Sequence, residues 1–169
     1  MLRPFVTFLT LLVLWVLVAQ VNHLLAETQV YLFIGGLFVA YAALALPLRD
    51  GLAAVLLGGL LFDSGAPVPF GTHALLFAAV HAIVFNIRDR LPRDETVARV
   101  IVALLANLGL VLALSFALIG RGPAPGTAWP RLIIDLACSQ VFLALLAPWF
   151  FALQSRALVL TGAERDNLA

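Results

Sequence analysis

Charge is what this chain has least of. Only 11% of its 169 residues are charged, against 63% hydrophobic, where an ordinary globular domain carries roughly a quarter charged. A soluble domain of this length cannot cover its surface with so few polar groups, and the mean hydropathy of +1.09 agrees. Lysine is missing altogether, since the ten basic residues are all Arg. A net charge of +1 offers no basic surface for nucleic acid. Cysteine occurs once, at Cys138 within an apolar run. That excludes an internal disulfide and any Cys-based metal or redox motif, and Cys138 reads as a buried small residue. There is no internal repeat and no low-complexity tract.

What remains is a set of apolar runs, and an all-α polytopic integral membrane protein is the class they predict. Spanning a bilayer takes roughly 20 apolar residues as helix, fewer where charged flanks reach back to the headgroups. Phe5–Leu25, Phe70–Ile87, Val97–Ile119 and Leu132–Leu153 qualify directly. Tyr31–Leu46 and Leu52–Phe62 are shorter, and Pro47 to Gly51 separates them. The third segment crosses only if its helix starts near Arg49. The first run resembles a signal peptide, but it is long for one and no clear Ala-x-Ala site follows, so it is expected to be a retained span. The expected layout is one membrane domain over 1–160, with spans near 5–25, 31–46, 49–63, 70–87, 97–119 and 131–153. A short cytoplasmic tail follows at 161–169.

Arginine placement decides the parity. With six spans and both termini in the cytoplasm, Arg3, Arg49, Arg88, Arg90, Arg93, Arg99, Arg156 and Arg165 fall inside, and only Arg121 and Arg131 fall outside. That is a positive-inside pattern. The short segment from Arg88 to Arg99 holds four arginines, so an even number of crossings precedes it, and the two short spans cross together or not at all. Trp129 and Trp149 lie near opposite ends of the last span, as interfacial anchors do. Gly120–Pro130 reads as a turn-rich external loop, and Pro148 is expected to kink the last helix.

Polar residues inside an apolar chain each need a partner or a purpose. They are Asn22, His23, Asp63, His73, His81, Asn107, Asp135, Ser139 and Gln140. The topology places His23, His73, Arg131 and Asp135 toward the outer face, a candidate outer polar cluster. Asp63 reads either as a turn cap whose carboxylate accepts backbone N–H bonds or as a carboxylate that meets a ligand or partner. Asp135 follows Arg131 by four residues, so the two are expected to pair on one helix face. His73 and His81 sit about 80° apart in projection, a poor metal spacing. His81 is expected to hydrogen-bond another buried polar group, Asn107 being the candidate. No catalytic constellation, metal set or cofactor motif is present. Gly51, Ala54 and Gly58 with Gly59, and Gly35, Gly36 and Ala40, form small-residue faces that let helices approach closely, either each other or a partner.

The stretch Gly58-Gly59-Leu60-Leu61-Phe62-Asp63-Ser64-Gly65, followed by Pro69-Phe70-Gly71-Thr72-His73-Ala74-Leu75, resembles a G-x-x-x-D…(P)-x-G-x-x-A-L pattern of the rod-shape-determining MreD family. The resemblance implies a six-helix bundle similar to the S-components of energy-coupling-factor transporters. It also implies a non-enzymatic scaffold in the cytoplasmic (inner) membrane that supports peptidoglycan synthesis during cell elongation, and hence rod shape. Implied partners are an MreC-like single-span protein, an MreB-like actin filament, a RodA-like glycosyltransferase and a class B penicillin-binding protein. The motif carries over to Gly58, Asp63, Gly71 and Ala74, with Gly59 beside them, as a structural or partner-facing unit. The alternative is an S-component-like protein that binds a small vitamin or ion for uptake, using the outer polar cluster as a pocket. An intramembrane enzyme ranks last for want of catalytic groups.

Overall fold

A computed structural model of the chain describes residues 2–66, 68–91, 95–119 and 125–160, and all regular structure among them is helical. α1 (Leu2–Leu24) runs into a single 3-10 turn, Leu25–Thr28. α2 (Gly35–Ala45), α3 (Leu48–Gly65) and α4 (Thr72–Ile87) follow, and α4 ends in a second 3-10 turn, Arg88–Arg90. α5 (Thr96–Ile119) and α6 (Pro125–Leu160) complete the described chain. Each expected span overlaps one of these helices, but their lengths differ widely.

Three segments are long and apolar enough to cross a membrane, Phe5–Thr28, Thr96–Ala117 and Trp129–Ala157. Their outward faces carry apolar stripes at four-residue spacing: Leu9, Val13 and Leu17 on α1, Ile101 and Leu105 on α5, and Val141, Leu145 and Trp149 on α6. A soluble monomer does not expose faces of this kind. This is the surface of a membrane protein.

α6 is longer than its apolar run. Pro125 opens the helix, and a proline there gives up no intrahelical bond because the first N–H groups have no partner anyway. The expected external loop is therefore shorter: residues 125–130 are the first turns of α6, and 120–124 lie outside the described residues, as does the tail 161–169. The helix runs on through Pro130 and Pro148. Cys138 is half-buried against the core rather than fully enclosed.

The second expected span differs most. Tyr31–Leu46 is not one helix: residues 30–34 are non-helical, and α2 has 11 residues, about 16 Å of rise. Every residue from Gly35 to Leu44 is buried. A helix apolar on all sides belongs in the middle of a bundle, and α2 touches α3, α4, α5 and α6 there. It feeds both core clusters, Phe38, Val39 and Ala42 in one and Leu37, Tyr41 and Leu44 in the other.

Glycine sets how closely its neighbours approach. A Cβ on Gly36 would stand 2.2 Å from the Asn107 backbone nitrogen of α5, and one on Gly59 would stand 2.3 Å from the Ala74 Cα of α4. The small-residue faces thus join helices of this one chain. Consecutive helices alternate in direction. The C-terminal ends of α1 and α3 gather with the N-terminal ends of α4 and α6 around residues 29–34. At the other end, Arg88 at the close of α4 meets the last turn of α2.

Candidate functional site

Two hydrogen-bonded units occupy the end of the bundle where residues 29–34 lie. The first is built around Asp63, in the last turn of α3. The Asp63 carboxylate is 4% exposed. Its Oδ2 accepts the Gly71 N–H at 2.9 Å and the Ala74 N–H at 3.4 Å. Its Oδ1 accepts the His73 N–H and the His73 Nδ1–H, each at 2.9 Å. Three amide donors at the start of α4, unpaired within the helix, are thus satisfied by one side chain of the preceding helix. The helix dipole favours a negative charge at the same place. Gly71 makes the turn possible with φ of +96°, in the left-handed region that suits glycine. The turn-cap reading of Asp63 is the arrangement observed.

Around this clamp stands an aromatic box. The His73 ring contacts Phe33, Phe62 and Phe77 at centroid distances of 6.1, 5.9 and 6.1 Å. Gly59 lies against Ala74, and Gly58 gives way to Phe38 and Leu11. Gly58, Gly59, Asp63 and Ala74 therefore all face the interior of this chain, with Gly71 at the turn. A partner-facing role for the small residues of the motif is replaced by an internal one: they close α3 onto α4 and α1.

The second unit holds the non-helical segment. Its backbone has no helical bonds of its own, and unsatisfied amides inside a membrane protein cost several kcal/mol each by the order of magnitude for hydrocarbon. Side chains from three helices supply the partners. The Tyr31 N–H donates to Asp135 Oδ1 at 2.9 Å, and the Phe33 N–H to Ser139 Oγ at 3.0 Å, both on α6. Asn22 of α1 makes a two-way bridge to Leu32, accepting its N–H at 2.8 Å and donating to its carbonyl at 3.0 Å. Asn107 of α5 accepts the Gly36 N–H at 3.1 Å. Arg131 donates to the Gln29 carbonyl at 3.1 Å, where Gln29 has φ of +58°. The far end of α2 is finished the same way. The Arg88 guanidinium donates to the Leu46 carbonyl at 2.9 Å and lies 3.7 Å over the Phe85 ring. A cation at a helix C-terminus also complements the dipole.

The expected outer polar cluster is thereby divided. His73 belongs to Asp63. Arg131 and Asp135 do not pair with each other, since both turn to residues 29–31 of the neighbouring segment. His23 is exposed at the end of α1. Asn107 serves Gly36 rather than His81, and His81 is fully buried beside Gly51. Among the described residues no group of three His, Cys, Asp or Glu side chains is placed to hold a metal ion.

Two concavities remain. A cavity of about 190 Å³ lies between α1, the 31–34 segment and the α3–α4 turn, with Trp15, Asn22 and His73 in its wall. Trp15 was not singled out by sequence, where it is one more aromatic in an apolar run. An apolar groove of about 560 Å³ runs between α4 and α5, from Val80 and Ile83 to Ile101 and Leu105.

No known protein family, curated protein or solved structure matches this chain.

Proposed function

We propose that the protein is a non-enzymatic membrane scaffold of the bacterial cell-elongation machinery, MreD-like in role, crossing the inner membrane six times with both termini in the cytoplasm. The observation that carries this reading is the joint action of the Gly58–Leu75 residues on which the resemblance rests. Asp63 binds the Gly71, His73 and Ala74 amides, and Gly59 lets α4 lie against α3. A pattern of widely spaced Gly, Asp, Gly and Ala is what this clamp uses. Asn22, Asp63, Asn107, Asp135 and Ser139 all serve the backbone, which suits a rigid docking platform better than a reaction centre. The alternating helix directions support the six-crossing arrangement.

The implied MreC-like partner spans the membrane once, and the α4–α5 groove is where we place its helix. The groove is concave and apolar, Gly109 leaves open space in its floor, and Glu95 stands at its arginine-rich end. A single-span partner carries its own basic anchors on that side. MreB-like filaments, a RodA-like glycosyltransferase and a class B penicillin-binding protein complete the implied assembly. Depletion is expected to round rod-shaped cells, and the protein is expected to co-purify with a single-span protein that crosslinks to Ile101→Cys. Rods of normal shape after depletion would refute the scaffold reading.

The cavity beside His73 favours a second reading, an S-component-like uptake protein for a small vitamin or ion. Co-purification with a transporter ATPase module, in place of the single-span protein, would establish it.

A further inference from the structure

One polar atom at the Asp63 clamp has no structural task. His73 is 5% exposed, and its Nδ1 is committed to the Asp63 carboxylate. A carboxylate only accepts, so Nδ1 carries the proton and Nε2 of the neutral ring is left as an acceptor. No described residue donates to Nε2. The ring cannot turn away, because Phe33, Phe62 and Phe77 pack around it. His73 forms part of the wall of the 190 Å³ cavity, which has room for more than a single water.

Asn22 lines the same cavity. Asn22 has its orientation fixed by the two-way bridge to Leu32, which uses its oxygen and one amide hydrogen. An amide NH₂ has two donors, so one remains beside the cavity. Trp15 and Phe62 line the same cavity, and Trp15 lies over Gly65, where a Cβ would meet its ring at 3.2 Å. The cavity thus brings an acceptor, a donor and aromatic faces together.

We propose that this cavity is a binding site for a small neutral molecule with a flat apolar body and one hydroxyl group. The hydroxyl donates to His73 Nε2 and accepts from Asn22 Nδ2. The proposal is independent of the scaffold reading, because binding at this end needs neither a partner protein nor a transporter module.

The test uses the full chain in lipid nanodiscs and 19F NMR, with 4-fluorophenol as probe and fluorobenzene as the same body without the hydroxyl. Empty nanodiscs give the background of lipid partitioning. Saturable binding of 4-fluorophenol is expected, with fluorobenzene weaker by about tenfold, the scale of one buried hydrogen bond. His73→Phe is expected to abolish that preference. Gly65→Leu, which fills the cavity beside Trp15 and leaves the Asp63 clamp untouched, is expected to weaken both probes about tenfold or more. Signal no greater than in empty nanodiscs would overturn the proposal. So would equal binding of the two probes, or full binding in Gly65→Leu.

Discussion

α2 and α6 are both largely apolar and lead opposite lives. α6 is a continuous helix of 36 residues, with Val141, Leu145 and Trp149 turned outward. α2 has 11 residues, is preceded by an unwound segment, and lies wholly inside the bundle. Backbone in contact with lipid has to satisfy itself and so stays helical. Backbone surrounded by protein can be satisfied by side chains, and Asn22, Asn107, Asp135 and Ser139 do this for residues 31–36. Four polar residues of this chain are spent where the backbone departs from helix. The same logic applies at the α3–α4 turn, where Asp63 serves three amides.

If that contrast is right, changes inside the α2–α3–α4 unit should be costly and equivalent changes on the outer face of α6 should not. The largest effect is expected from Gly59→Leu, which would force α3 and α4 apart at the Ala74 backbone. Monodisperse protein in gel filtration after detergent extraction is expected to disappear. Asp63→Ala comes next. It strips the acceptor from three amides and the His73 ring, at a cost on the order of 3 kcal/mol or more, since bonds to a charged group are worth about 1.5–3 kcal/mol each. Asp63→Asn keeps one acceptor oxygen and should lose clearly less, as read from denaturant titration in mixed micelles. Asn107→Leu leaves the buried Gly36 N–H without an acceptor and should cost about 1–3 kcal/mol by the same measurement. The smallest effect is expected from Leu145→Ala, at a side chain 72% exposed, with a change within about 0.5 kcal/mol. A loss at Leu145 equal to that at Asn107 would erase the distinction between interior and outer helices.

The sequence made the helices legible and hid the break. Hydropathy located all six, and the Arg49 argument anticipated a third helix that begins at Leu48. Tyr31–Leu46 reads as one apolar run because a short buried extended segment and a buried helix have the same composition, and periodicity cannot separate them. The Thr28-Gln29 pair before it and Gly35-Gly36 after it were the available signals of an interruption. Asp63 was readable as a cap because its partners are eight to eleven residues away. The bonds from Asp135 to Tyr31 and from Ser139 to Phe33 span more than a hundred residues, and no local pattern encodes them. For the same reason the expected Arg131–Asp135 pair was plausible from helical spacing alone. The better partners came from a segment that spacing cannot bring near. Pro125 and Pro130 read as a loop because prolines interrupt helices in general, whereas the first turn tolerates Pro125 and α6 continues past Pro130 inside it.

The most direct test of an unwound segment held by side chains is amide hydrogen exchange of the protein in lipid nanodiscs, resolved at Leu32, Phe33 and Gly36. These amides have no helical partner, yet each donates to a side chain, half-buried at Asn22 and buried at Ser139 and Asn107. They are expected to exchange as slowly as amides in the middle of α2, and Asn107→Leu should release Gly36 selectively. Exchange at Leu32, Phe33 and Gly36 as fast as in the exposed Leu25–Thr28 turn would contradict it.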